Sequence, residues 1–154
     1  KEIIQVTTNY GVFKLKLYDD TPIHKANFLN LVDSGFYDSL LFHRVIQNFM
    51  VQSGDPDSKG AVSGLNLGNG GPGYTLEAEI KDNHFHKRGV LAAARQGDNV
   101  NPQKRSSGSQ FYIVTGKAYS KSNLAEMSKN MDYGMGVHYM QQCLKTEEYA
   151  GENY

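Results

Sequence analysis

The sequence lacks a charge excess, a disulfide pair and a long apolar run, and each absence excludes a class of protein. Its 154 residues carry 16 basic and 16 acidic side chains, so nothing favours binding to nucleic acid or to an anionic membrane surface. Cys143 is the only cysteine, which excludes an intramolecular disulfide. No stretch approaches the roughly 18–20 apolar residues that a membrane-spanning helix needs. The length fits one globular domain with a core.

Cellular location is only loosely bounded by the sequence. The first residue is Lys1 instead of methionine, which indicates a processed product from which any targeting segment would have been lost. The lack of disulfides fits a cytoplasmic protein and equally an exported one without disulfides. Both a cytoplasmic and an exported or periplasmic location in a bacterium therefore stay open.

Several familiar catalytic patterns are missing. Of the five scattered histidines only His84 and His86 are closely spaced, and we favour a loop pair that hydrogen-bonds locally over a metal site. The glycine-rich run Gly68–Gly73 does not fit a phosphate-binding P-loop and is expected to form turns. Ser106–Ser109 lacks the GxSxG pattern of a serine hydrolase. The absence of these patterns argues against a metalloenzyme, a nucleotide-binding protein and a serine hydrolase.

Alternating side chains predict an N-terminal β-hairpin followed by a helix. Ile3–Thr8 and Gly11–Tyr18 are rich in β-forming residues, and the second run alternates polar and apolar positions as a half-buried antiparallel strand does. The helix is predicted to begin at Thr21-Pro22, with the threonine hydroxyl as its N-cap, and to end near Gly35.

Short strands are predicted in the centre of the chain, and a helical segment is predicted at its end. Strands separated by loops, with one early helix, indicate an antiparallel barrel or sandwich. Methionines recurring at three- and four-residue steps after Ser120 predict amphipathic helices. We therefore expect an antiparallel barrel or sandwich followed by a helical, Met-rich segment. The central strands are predicted at Leu40–Val45, Phe49–Ser53, Gly89–Arg95 and Gln110–Thr115, with loop over 54–73.

The stretch Phe42–Gln52 (FHRVIQNFMVQ) combines apolar residues typical of a strand core with polar ones. An arginine such as Arg44 is costly inside an apolar strand unless its guanidinium finds acceptors. Residue types alone leave a functional Arg44 and a structural salt bridge equally open. His43 beside it is expected to pack or to orient its neighbours.

Two motifs carry a resemblance to a known family. Phe42–Pro56 (FHRVIQNFMVQSGDP) is similar to the cyclophilin signature FHRVIxxFMxQxGD, and Gly108–Thr115 (GSQFYIVT) is similar to the family's GSQFFI strand. The stretches GNGGPGYTLEAEI and HKRGVLAAAR support the likeness in family order, and the style is that of prokaryotic members. The resemblance runs from about Ile3 to Gly116. It implies a barrel-like domain over 1–116, with a helical, Met-rich insertion or tail over 117–154.

The resemblance implies a peptidyl-prolyl cis/trans isomerase that acts on proline-containing polypeptides, assists folding and needs no cofactor or metal. It implies a mainly β fold, a cyclophilin-like antiparallel eight-stranded barrel with flanking helices. Arg44 would be the catalytic arginine. The pocket for the substrate proline ring would be lined by Phe49, Met50 and Tyr112. The family usually has Phe at the position of Tyr112. The substrate backbone would be contacted, or the groove shaped, by Gln52, Ala94 and Gln110.

The sequence departs from the family after Gly116. The family's WLDGxHxVFG-like segment is not evident in 117–154, and the chain has no tryptophan. Either the chain is part of a longer cyclophilin with a helical insertion, or the Met-rich segment replaces the missing strands; we favour the first because an open barrel exposes strand edges. The resemblance also implies cyclosporin-like ligands as partners, but the missing Trp-bearing segment argues against their binding. A non-catalytic module that binds proline-containing peptides, or a chaperone, is the alternative function, and the Met-rich segment is a third candidate as a partner-binding helix.

Overall fold

The computed structural model describes residues 2–123 and residue 126. The fold of these residues is mainly β, as predicted, and their strands lie in three sheets of two, four and two strands. In chain order the elements are β1 (Ile4–Thr8), β2 (Gly11–Leu15), α1 (Pro22–Asp33), β3 (Arg44–Ile46), β4 (Met50–Ser53), a 3₁₀-helix (Pro56–Ser58), β5 (Thr75–Leu76), β6 (Leu91–Ala93), β7 (Ser106–Ser107) and β8 (Phe111–Val114).

The chain divides into two compact units. The first comprises Lys1–His43, Gln52–Glu79 and Ala93–Phe111, and the second comprises Arg44–Val51, Ile80–Ala92 and the chain from Tyr112 onward. No helix of the described residues is long and apolar enough to cross a membrane.

The predicted helical segment 117–154 is described only at residues 117–123 and 126, of which 121–123 and 126 are helical. The expected methionine stripe at positions 127, 131 and 135 lies outside the described residues, as does Cys143. The proposed boundary between a barrel domain and a helical segment at residue 116 therefore stays a prediction.

The N-terminal hairpin of the first unit is confirmed. β1 and β2 pair antiparallel, from Ile4 opposite Leu15 to Thr8 opposite Gly11. Leu15 is buried and Lys14 is exposed, which is the predicted alternation between the two faces of a half-buried strand. β2 ends at Leu15, three residues before the predicted end.

Helix α1 begins and ends where the sequence indicates, but its N-terminus is satisfied differently. Thr21 occupies the N-cap position and makes no side-chain capping bond, so the predicted hydroxyl cap is wrong. Glu79 accepts instead from the backbone N–H groups of Ile23, at 3.0 Å, and His24, at 2.8 Å. A carboxylate at this end also matches the positive pole of the helix dipole.

The C-terminus of α1 forms a Schellman motif. Gly35 has a positive φ of 69°, a conformation that glycine adopts without strain. Its N–H bonds the carbonyl of Val32, and the N–H of Phe36 bonds the carbonyl of Leu31. Gly35 therefore lies just after the helix end, as the sequence predicts.

Aromatic side chains form the core of the first unit behind α1. Phe28 lies 4.9 Å from Tyr37 and 5.5 Å from Phe111 between ring centroids, and the Phe111 ring meets both others edge to face. The Tyr37 hydroxyl donates to the carbonyl of Ser109 at 3.1 Å. Burial raises the pKa of this phenol. The helix is thus fixed against the start of β8.

Asp55 organises the loop that follows β4. Its side chain is fully buried and accepts from the backbone N–H groups of Asp57 and Gly68, which ties residue 68 to the start of the 3₁₀-helix. Burial alone would raise the pKa of Asp55, but the backbone hydrogen bonds outweigh it and lower the pKa. The predicted loop 54–73 is confirmed apart from the 3₁₀-helix.

Two short strands of the first unit, β5 and β7, were not predicted. They pair antiparallel, Thr75 with Ser107 and Leu76 with Ser106. Strands of two residues are too short to produce a visible alternation, and the pairing joins segments 30 residues apart.

The strand order of the four-stranded sheet is β3-β4-β8-β6. The second unit contains β3 and part of each of the other three strands. Gly89 donates to the carbonyl of Val114, and Val114 donates back to that of Val90. Of the second unit's residues in this sheet, Met50 is 1% exposed and Val114 is 6% exposed. The predicted strands at Phe49–Ser53, Gly89–Arg95 and Gln110–Thr115 are confirmed in shortened form.

The predicted strand at Leu40–Val45 starts too early, since β3 begins at Arg44. The backbone groups of Leu41 bond to side chains instead of to a neighbouring strand. Its N–H donates to the Ser58 hydroxyl at 3.0 Å, and its carbonyl accepts from the Ser53 hydroxyl at 2.9 Å. These serines satisfy the backbone, so no strand forms here.

Candidate active site

The residues that the resemblance assigns to the site belong to both compact units. Gln52, Ala94 and Gln110 lie in the first unit. The second unit holds Arg44, Phe49, Met50 and Tyr112.

The three residues in the first unit are directly linked to one another. Gln52 Nε2 donates to Gln110 Oε1 at 2.9 Å, and both side chains are buried. The backbone N–H of Ala94 donates to the carbonyl of Gln110 at 2.9 Å. The structure therefore brings these three predicted residues together.

Gln110 has a fixed amide orientation. Its Nε2 donates to the carbonyls of Gly68, at 2.9 Å, and Gly70, at 2.7 Å, so both amide protons are used. Its Oε1 must then face Gln52 as an acceptor. One buried side chain thus ties the glycine-rich loop to Gln52 of β4.

A cavity of about 700 Å³ opens beside this network within the first unit. Gln52 and Gln110 line it together with backbone of the glycine-rich loop. Arg95 and Arg105 are the charged side chains among the described residues that line it. The sequence analysis predicted neither arginine as a site residue. Arg95 ends the motif HKRGVLAAAR, and its charge beside Ala94, a predicted site residue, could have indicated it.

In the second unit, the residues around the turn before β4 differ sharply in exposure. Met50 is 1% exposed, whereas Phe49 beside it is 52% exposed. Asn48 has a positive φ of 59°, which turns the chain between β3 and β4. A large ring is therefore left accessible while its neighbour anchors the sheet.

Tyr112 is half-buried in the same unit and has a histidine partner. Its hydroxyl lies 3.3 Å from Nδ1 of His86, and the two rings meet edge to face with centroids 5.7 Å apart. This partner of His86 lies 26 residues later in the chain, so the contact is not the local hydrogen bond expected for the His84–His86 pair. Among the described residues no group of three histidine, cysteine, aspartate or glutamate side chains could hold a metal ion.

Arg44 is the first residue of β3, and its side chain is exposed. Val45 and Ile46, which follow it, are 66% and 37% exposed. Arg44 therefore does not lie inside an apolar strand core. An exposed guanidinium keeps its hydration and needs no internal acceptor to offset burial.

Ser106, His24 and Glu79 form a hydrogen-bonded chain with the order of a hydrolase triad. His24 Nδ1 lies 2.6 Å from Glu79 Oε2, and Nε2 lies 2.9 Å from Ser106 Oγ. The serine is buried, at 7% exposed, and is not among the residues that line the cavity of the first unit. The chain connects α1 to β7 and is structural, in agreement with the missing GxSxG pattern.

A family model of the cyclophilin type peptidyl-prolyl cis-trans isomerases matches residues 3–137. The chain belongs to this family. The match reaches beyond Gly116, where the motif-based resemblance ends.

Relatives with assigned names support the same family. A peptidyl-prolyl cis-trans isomerase of Synechococcus elongatus is 43% identical over 107 residues, 69% of this chain and 63% of its own length. Isomerase B of Bacillus subtilis is 42% identical over 103 residues, 66% of this chain and 62% of its own. A putative bifunctional phosphatase/isomerase of Streptococcus pyogenes is 38% identical, over 79% of this chain and 24% of its own. The chain thus spans less than two thirds of these relatives.

Solved structures support the fold. A cyclophilin type isomerase of Cryptosporidium parvum has a TM-score of 0.62 at 32% identity, covering 74% of this chain and 67% of its own. The same protein in the presence of the dipeptide Ala-Pro has a TM-score of 0.58. The predicted cyclophilin-like fold is thereby confirmed.

Proposed function

We propose that this chain carries the catalytic part of a peptidyl-prolyl cis/trans isomerase, which accelerates rotation about Xaa-Pro bonds of polypeptides and so assists their folding. The proposal rests mainly on the exposure pattern of the segment Phe42–Gln52, which resembles the cyclophilin signature. Its fold buries Met50 and leaves Arg44 and Phe49 accessible to a ligand. A cation and an apolar ring are the groups that this reaction requires.

The reaction breaks no covalent bond, so it needs no nucleophile and no proton relay. Its obstacle is the partial double-bond character of the amide, with a barrier of about 18–20 kcal/mol. Arg44 donates a hydrogen bond to the proline nitrogen as that nitrogen becomes pyramidal in the twisted state. Because the planar ground state offers this nitrogen no free lone pair, the bond stabilises the transition state selectively.

The apolar residues hold the proline ring while the preceding carbonyl rotates. Phe49 offers an accessible ring face, and Tyr112 offers a second aromatic surface. Met50 is almost fully buried, so its role is to support this surface from behind. Gln52, Ala94 and Gln110 are proposed to contact the substrate backbone, with Gln52 and Gln110 pre-oriented by their mutual hydrogen bond.

The proposal is tested by the cis-to-trans rate of a short Xaa-Pro peptide, followed by exchange NMR. Loss of the Arg44 donor in Arg44→Ala should lower kcat/KM by about 100-fold, the usual effect of removing one transition-state donor. Lys14→Ala is the matched control, since Lys14 is an exposed cation on β2 outside the proposed site. A rate with wild type equal to that of buffer alone would exclude catalysis by this chain.

The alternative is a non-catalytic module or chaperone that binds proline-containing segments with the same residues. It predicts saturable peptide binding, with chemical-shift changes at Tyr112, and no rate enhancement in the same samples. Competition with a cyclosporin-like ligand then tests the remaining partner class, which the missing Trp-bearing loop disfavours.

A further inference from the structure

The cavity of the first unit is neutral except for two guanidinium groups. Its wall consists of glycine backbone, small side chains, amides, a tyrosine and the two arginines, and no acidic residue of the described chain lines it. Gln110 already engages the carbonyls of Gly68 and Gly70, so two acceptors of the loop are occupied. The chemical character of the cavity is therefore set by hydrogen-bond donors and positive charge.

Arg105 is held in place by neutral hydrogen-bond partners and not by a carboxylate. Its Nε donates to the Thr75 hydroxyl at 2.7 Å, and its Nη2 donates to the Thr75 carbonyl at 2.9 Å. Its backbone is fixed by Asn101, which donates to its carbonyl at 2.8 Å and accepts from its N–H at 3.1 Å. These partners are neutral, so the guanidinium is pre-organised and uncompensated within the described residues.

Arg95 contributes a second, weaker positive charge. Its Nη1 is paired with Asp98 three residues later, whose side chain is 59% exposed. An exposed pair of this kind compensates little and is screened by salt. Lys104 adds a further cation that helps to lower the pKa of Asp98, after the direct bond from Arg95.

We propose that this cavity binds an acidic side chain of the proline-containing polypeptide, with Arg105 as its principal partner and Arg95 as a supporting charge. The inference rests on the proposed function and adds the substrate class. The bonds to Thr75 use Nε and one N–H of Nη2, which leaves the Nη1–Nη2 edge of the planar guanidinium for a carboxylate. A volume of about 700 Å³ accommodates a glutamate side chain with adjoining backbone.

The experiment compares host peptides containing one Ala-Pro unit in which Glu, Gln or Lys replaces alanine at each flanking position in turn. The dissociation constant is measured by fluorescence anisotropy with the full chain at low salt. At one position Glu should bind about 10-fold tighter than Gln, as expected for one charge-assisted hydrogen bond, and Lys should bind more weakly than Gln. Equal affinity of Glu and Gln at every position would overturn the proposal.

Two variants separate recognition by Arg105 from general charge. Arg105→Gln should reduce the Glu-to-Gln affinity ratio to about one, and Arg105→Glu should reverse the preference in favour of Lys. Arg88→Gln is the matched control: it removes an exposed arginine of the second unit and should keep the ratio. A Glu preference that survives Arg105→Gln in a folded protein would reject the assignment.

The binding measurement is independent of the proposed catalysis. Glu-selective binding that depends on Arg105 supports the subsite even if no variant or wild type accelerates isomerisation. Catalysis of neutral peptides without Glu selectivity supports the isomerase and overturns the subsite.

Discussion

The hydroxyl of Tyr112 lies 3.3 Å from Nδ1 of His86, so the position where the family usually has phenylalanine is occupied by a ring with a polar anchor. The ring supplies apolar surface, and the hydroxyl restricts its rotation. Both groups belong to the second unit, and their contact is open to solvent. We infer that the proposed function depends on the ring and only weakly on the hydrogen bond.

The Tyr112→Phe substitution tests this separation. It keeps the aromatic surface and removes one solvent-accessible hydrogen bond, so kcat/KM for an Ala-Pro peptide should stay within about 3-fold of wild type. Tyr112→Ala removes the ring and should lower kcat/KM by about 10-fold or more, mainly through KM. Equal losses in both variants would show that the bond to His86 is essential for positioning the ring.

The Gln52–Gln110 pair should be coupled in stability. In Gln110→Ala the buried Nε2 of Gln52 loses its acceptor, which should cost about 1–3 kcal/mol. The cost in the Gln52→Ala background should be smaller, since the hydrogen bond between the two amides is then already absent. Urea unfolding of the two single variants and the double variant gives the coupling free energy, and strictly additive losses would contradict the prediction.

Gly54 and Gly60 form a matched pair of glycines with positive φ, 94° and 68°. A Cβ on Gly54 would lie 2.2 Å from the carbonyl oxygen of Ser109, whereas a Cβ on Gly60 would meet nothing within 4 Å. Gly60→Ala should therefore cost only the backbone strain of about 1–2 kcal/mol. Gly54→Ala should cost about 1–3 kcal/mol more, because Ser109 must move. Equal midpoints of urea unfolding would contradict the close approach.

Local patterns predicted local structure well. The hairpin follows from the period-two alternation within β2, and the end of α1 follows from Gly35, because both depend on neighbours in sequence. The family and the fold were recognisable from two motifs, which encode many contacts at once. The short pairing of β5 with β7 was not recognisable, because each strand has only two residues.

Long-range contacts account for what the sequence did not reveal. The cap of α1 comes from Glu79, 56 residues after Ile23, and no local pattern indicates it. The exposure of Arg44 depends on which face of the sheet is covered, which alternation within β3 alone does not determine. Arg105 enters the cavity wall through its bonds to Thr75, 30 residues away.

Glu79 should make the stability of the first unit depend on pH. Partial burial would raise the pKa of this carboxyl, but the backbone N–H of His24, the His24 ring and the N–H of Ile23 donate to it and lower the pKa below its usual value of 4.5. As the pH falls, the Glu79 carboxyl is therefore protonated in the unfolded chain before it is protonated in the folded one. The stabilisation is therefore complete above about pH 4.5 and is lost as the pH falls through the folded pKa.

Glu79→Gln removes the charge and keeps the shape. At pH 7 it should lower the free energy of unfolding by about 1–3 kcal/mol, because the helix N-terminus and His24 lose a charged acceptor. The difference from wild type should shrink steadily below pH 4.5, where wild type also becomes neutral at this position. Glu77→Gln is the control, since Glu77 is exposed two residues earlier and should leave stability nearly unchanged. Urea unfolding of the three proteins between pH 3 and 7 measures the effect, and a difference independent of pH would show that the carboxylate charge of Glu79 does not hold α1.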